Sequence, residues 1–151
     1  MISFCPFIGV VINCSFVSWF SAQLIKYLID GFRHRGWRVK MLFSSGGMPS
    51  SHTSAVVALA MGLGFYEGFN SSAFAVSGVF SLIVMYDATG VRRETGRQGT
   101  VLNTIIDWLV SEQPESKVED VAMKERVGHQ PSEVLAGFAL GLIWSVVFFV
   151  L

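Results

Sequence analysis

Two of the three histidines stand where a helix should begin. His52 closes the run Gly46-Gly47-Met48-Pro49-Ser50-Ser51-His52, and His129 precedes a proline in Gly128-His129-Gln130-Pro131-Ser132-Glu133. Proline suits a first helical turn, where its missing N–H is not needed, and a serine can cap such a start. A helix start presents free N–H groups and the positive end of a dipole, which together attract phosphate. Backbone N–H groups around Ser50 and Ser51 are therefore candidate phosphate donors. Two imidazoles beside a phosphate can divide the duties of nucleophile and general acid. Glu133 follows His129 by four residues, a spacing at which a carboxylate can reach the ring and fix its tautomer.

The cations that such a site needs are also present. Tyr86-Asp87-Ala88-Thr89-Gly90-Val91-Arg92-Arg93 sets an acid and then paired arginines at the end of an apolar stretch. Arginine offers a planar fork of donors that matches phosphate oxygens. Lys26 lies near the end of the first apolar stretch, either reaching back to a lipid surface or facing a site as a juxtamembrane cation. Arg126, three residues before His129, is a further candidate. Asp87 can pair with the arginines or hold a metal ion.

These groups must be positioned by helices in an unusually apolar chain. Of 151 residues, 52% are hydrophobic and 15% charged, with a mean hydropathy of +0.53. Soluble domains are nearer a quarter charged, so the expected class is an all-α integral membrane bundle forming a single domain over residues 1–151. Phe7–Ile29 has the length of a span, followed by a polar loop, Asp30–Lys40. A small-residue helix runs from Pro49–His52 to about Tyr66, with Ser54, Ala55, Ala58, Met61 and Gly62 on a face suited to close packing. Ser71 or Ser72 caps a third helix through Tyr86 or beyond. Val101–Val110, with Trp108, is too short and polar to span and suits an amphipathic helix at the membrane interface. Residues 111–127 read as a solvated linker, and a last helix runs from Pro131 to Leu151. The expectation is four spanning helices plus one interfacial helix.

Charge placement implies a topology. Ten of the eleven Lys and Arg residues fall in segments 30–48 and 86–130. With four spans these segments share one side, which the positive-inside rule makes cytoplasmic, with both termini opposite. Both histidine-bearing helix starts fall on that side. A net charge of zero points away from a nucleic-acid partner. Cys5 and Cys14 show neither metal spacing nor a disulfide framework. No basic leader or cleavage site marks Met1–Ser3 as the start of a cleaved signal peptide.

Taken together, the three motifs resemble the divergent branch of the type 2 phosphatidic acid phosphatases, relatives of the acid phosphatases and vanadium-dependent haloperoxidases. The resemblance runs from Gln23 and Lys26 to the last helix. It implies that His52 protonates the leaving group and that His129, oriented by Glu133, is the nucleophile. It also implies that Lys26 binds phosphate. Four departures stand out. Ser51 replaces a glycine, Glu133 replaces an aspartate, His34 replaces a proline after Arg33, and Met123 stands where the family's phosphate-binding arginine would be. Arg92, Arg93 or Arg126 is the expected replacement for that arginine.

The expected reaction is hydrolysis of a lipid-borne phosphate monoester or pyrophosphate through a phosphohistidine. The partners are then the lipid substrate and the surrounding membrane lipids, with a homodimer plausible for so small a bundle. No metal or cofactor is required, and Mg²⁺ has only Asp87 as a candidate ligand. Two other classes are open to this sequence. One is a catalytically degenerate membrane protein that binds an anionic headgroup or a protein partner. The other is a vanadate-dependent haloperoxidase, which the membrane setting disfavours.

Overall fold

A computed structural model describes residues 6–34, 47–112 and 129–151. Five helices follow in order: α1 (Pro6–His34), α2 (Ser51–Glu67), α3 (Ser72–Thr89), α4 (Val91–Glu112) and α5 (Pro131–Phe149). No strand occurs among the described residues. The starts obey local chemistry. Ser50 and Ser71 cap α2 and α3, each hydroxyl accepting the N–H three residues on, from Thr53 at 3.4 Å and Phe74 at 3.2 Å. Proline takes the first turn of α5, as its sequence requires.

Two sequence boundaries are corrected. The polar segment expected from Asp30 begins inside α1, which continues to His34 before the described residues break off. Nothing between Ile29 and His34 stops a helix, because a single glycine is tolerated in a helix interior. The Tyr86–Gln98 stretch is likewise helical apart from Gly90, which separates α3 from α4. The amphipathic segment Val101–Val110 is therefore the second half of a 22-residue helix.

α2 is the hub, in contact with α1, α3 and α5. α1 runs antiparallel to it, with Ser18 bonded to the Ser54 carbonyl at 3.1 Å and Lys26 against Gly47. α5 runs parallel to it, with no room for a side chain in the seam. A Cβ on Gly137 would lie 2.4 Å from the Ser50 carbonyl oxygen, and one on Gly141 would lie 2.7 Å from that of Ser54. Small residues four apart let the two backbones meet, the arrangement favoured between helices in lipid.

The interior mixes small apolar residues with many polar ones, and the exterior is apolar. Ser18, Ser50, Ser51, Thr53, Ser54 and Ser145 are wholly buried, whereas Phe16, Phe20, Val76, Leu82, Ile83 and Leu135 are 60–73% exposed. Several inward hydroxyls find helical carbonyls, as Ser81 does with Val56 O at 2.9 Å. Water penalises such a surface and lipid does not. Two stretches, Ser72–Leu109 and Pro131–Phe149, are long and apolar enough to cross a membrane.

Candidate functional site

The parallel pairing of α2 with α5 sets their two starts side by side, and two backbone hydrogen bonds hold them. Ser50 N–H donates to Glu133 O at 2.9 Å, and His129 N–H donates to Ala88 O at 2.9 Å. The second bond brings in the end of α3. The antiparallel α1 delivers Lys26 to the same end, where its stem lies against Gly47. Gly47 has φ +97°, a conformation open to glycine at little cost. Four separate helices thus converge on one end of the bundle.

His129 is 4% exposed, and its Nε2 has no hydrogen-bond partner among the described residues. Burial pushes the imidazole pKa down to about 4, and the positive charges of Lys26, His52 and Arg92 push in the same direction. The ring is therefore neutral at pH 7, with a nucleophilic nitrogen. The same influences show that Lys26, His52 and Arg92 lie within electrostatic reach of His129. Lys26 is 2% exposed, whereas His52 is exposed on the first turn of α2.

Several expected contacts take another form. Glu133 Oε2 accepts from Gln130 N–H at 3.1 Å, not from the His129 ring. The four-residue rule needs helical backbone throughout, and Gln130 is extended, with φ −72° and ψ 150°. At the third helical position the carboxylate closes the helix start instead, as one half of a capping box. Glu133 remains within Coulombic reach of Lys26. Ser50 N–H is engaged by Glu133 O, and its hydroxyl also accepts from Thr53 Oγ1 at 3.0 Å. Ser50 is thus a cap, and the first-turn N–H groups left without a bond among the described residues are those of Ser51 and His52.

Asp87 pairs with Arg92, whose Nε lies 2.6 Å from Asp87 Oδ2. This is the pairing alternative of the sequence reading. A lone carboxylate already bridged by a guanidinium is a poor Mg²⁺ ligand, because that ion favours oxygen-rich octahedral sites. No group of three or more His, Cys, Asp or Glu is placed to hold a metal ion among the described residues. Arg93 is exposed on α4. Arg126 and Met123 lie outside the described residues, and among the described residues the site gathers Lys26 and Arg92.

The chain matches the profile of the Divergent PAP2 family over residues 9–144. It belongs to that family. An uncharacterized membrane protein of Bacillus subtilis (strain 168), YuiD, is 42% identical over 134 residues, covering 83% of this chain and 85% of that one. No solved structure matches the chain. The match begins in α1 and ends in α5, leaving out Pro6–Ile8 and Ser145–Phe149, so every converging group described above lies within divergent PAP2 sequence.

Two site features escape a motif-based reading of this divergent PAP2 chain. The first is the Gly137–Gly141 seam, which the four-residue spacing of its glycines could have signalled. The second is Gln23, a polar residue one turn before Lys26 that is also buried. A polar residue held inside an apolar span is itself a signal of a site.

Proposed function

We propose that this divergent PAP2 protein is a membrane-embedded phosphatase that hydrolyses a lipid-borne phosphate monoester or pyrophosphate through a phosphohistidine. The observation that carries this reading is the convergence at one bundle end. His129 there has a buried Nε2 with no partner among the described residues, and Lys26, Arg92 and His52 lie within electrostatic reach of it. Bonds from Ser50 to Glu133 and from His129 to Ala88 hold the arrangement together. A neutral imidazole beside the cations Lys26 and Arg92 suits attack on an anion, because the charge that binds phosphate also keeps the nucleophile unprotonated.

The phosphoryl group sits between the starts of α2 and α5. Lys26, Arg92 and the N–H groups of Ser51 and His52 spread its negative charge, which is the main protein contribution in phosphoryl transfer. His129, as its Nδ1–H tautomer, attacks phosphorus through Nε2 and forms the N–P bond. The bond from phosphorus to the leaving oxygen breaks, and His52 gives that oxygen its proton. Water then attacks the phosphohistidine, His52 takes one of its protons, and phosphate leaves as His129 is restored. Glu133 is a positioning residue that fixes the backbone carrying His129 through Gln130. No step passes through a metal ion.

The setting supplies the substrate class. We read four helices, α1, α2, α3 and α5, as spanning, with α4 at the interface. α2 has 17 residues and is about 25 Å long, so its start lies close to the headgroup layer of a core about 30 Å thick. The site faces the cytoplasm in this arrangement.

The test is phosphate release from a panel of lipid phosphates by the purified wild type, His52→Ala and His129→Ala. The reading expects turnover of at least one lipid by the wild type and loss of it in both variants. Binding of anionic lipid without turnover in all three would assign the site to headgroup binding instead. Equal turnover in wild type and His129→Ala would remove the nucleophile assignment.

A further inference from the structure

Gln23 Oε1, Ser51 Oγ and His129 Nε2 are buried polar atoms at the same end of the bundle with no hydrogen-bond partner among the described residues. They come from α1, α2 and the lead into α5. Gln23 is 6% exposed, and Ser51 is wholly buried. Register brings the first two together. On α1, Ser18 meets Ser54 and Lys26 meets Gly47. Gln23 lies between them and so stands level with Ser50 and Ser51. Gln23 also lies three residues before Lys26, which places the two on one helix face.

Buried polar groups are nearly always bonded, and one left without a partner carries a desolvation cost. Ser50, next in sequence, has its own N–H, carbonyl and hydroxyl engaged, so the fold can satisfy a serine here. Ser51 and Gln23 are not so satisfied. Both can donate, Ser51 through its hydroxyl and Gln23 through an amide whose two ends can exchange places.

We propose that Gln23 is a further substrate-contacting residue, whose amide joins the Ser51 hydroxyl in hydrogen-bonding the phosphoryl oxygens that His129 faces. This deepens the phosphatase reading and rests on it. The two side chains supply neutral donors on the α1 and α2 sides of the phosphate. Lys26 and Arg92 supply charge, and His129 supplies the nucleophile. Neutral donors at this depth bind the anion without placing further buried charges beside His129.

The experiment uses the full chain in detergent, with Gln23→Met and Ser51→Ala, and inorganic phosphate and vanadate as probes. Inhibition constants and thermal midpoints are measured with and without phosphate. The expected result is that each variant weakens phosphate and vanadate inhibition about ten- to a hundredfold, the usual effect of losing a hydrogen bond to a charged group. The phosphate-free midpoint stays level or rises, because Gln23 Oε1 and Ser51 Oγ have no hydrogen-bond partner to lose among the described residues. The rise in midpoint that phosphate gives the wild type shrinks in both variants. Unchanged inhibition constants in both variants, with the wild type active and inhibited, overturn this inference and leave the phosphatase reading intact. A fall in the phosphate-free midpoint without a change in inhibition also overturns it, by making both roles structural. A wild type that neither binds phosphate or vanadate nor turns over any lipid phosphate overturns the phosphatase reading, and this inference with it.

Discussion

Replacing Gly137 by alanine tests whether the α2–α5 seam sets the site. The new Cβ would lie 2.4 Å from Ser50 O and 3.1 Å from Thr53 Cβ. Ordinary carbon–oxygen contacts of this kind begin near 3.3 Å, so the two helix starts must separate by about 1 Å. Both atoms it meets belong to the first turn of α2 or its cap, and the bond from Ser50 N–H to Glu133 O spans the same gap. Overpacking of this kind costs about 1–3 kcal/mol. A misplacement of about 1 Å between reacting groups costs about a hundredfold in rate. The measurement is kcat on a lipid phosphate beside the thermal midpoint. Gly78→Ala is the control, since a Cβ there meets nothing within 4 Å. It is expected to hold its activity and gain about 0.5–1 kcal/mol. Gly137→Ala with wild-type rate and midpoint would refute the reasoning, and so would equal losses in the two variants.

Other predictions are simpler. The His129 ring stays neutral from pH 8 down to about pH 5, because its pKa lies near 4; imidazole ¹⁵N shifts check this, and a midpoint near 6.5 contradicts it. The linked effect on stability has a definite sign. The unfolded chain takes up the proton first, so the contribution is fully present above pH 6.5 and is lost as pH falls towards 4. Its limit is about 3 kcal/mol for a drop to about 4. Ser50→Ala removes the cap of α2 and lowers stability by about 1 kcal/mol, measured by denaturation in detergent. Asp87→Asn leaves stability within about 1 kcal/mol, since its pair with Arg92 is partly exposed. It raises KM by freeing the Arg92 side chain, and EDTA leaves the rate of wild type and variant alike.

Much of this arrangement was legible because its signals are local. Pro49–Ser50 and Gln130–Pro131 announce helix starts wherever they occur, and Ser71 had only Ser72 as a rival cap. The apolar runs fixed the helix order. What could not be read depends on neighbours distant in sequence. Whether Ser50 N–H meets phosphate or a carbonyl is decided by Glu133, 83 positions away. The Glu133 carboxylate turned to Gln130 because one extended residue interrupts the helical spacing from His129. Lys26 was legible as a cation near a membrane surface, but its burial depends on Gly47 closing over its stem. Composition could not bound α1 at its far end, because polarity marks departure from lipid and a helix can continue past it.

The most direct measurement is trapping of phosphate on the protein. Purified wild type is quenched during turnover of a ³²P-labelled lipid phosphate, and label is followed through acid and base. The expected label is lost in acid and kept in base, maps to His129 and is absent from His129→Ala. His52→Ala is expected to take up label when the leaving group needs no proton, as in p-nitrophenyl phosphate. Phosphate release by the wild type with no acid-labile label, or with the same label in His129→Ala, would contradict a phosphohistidine at His129.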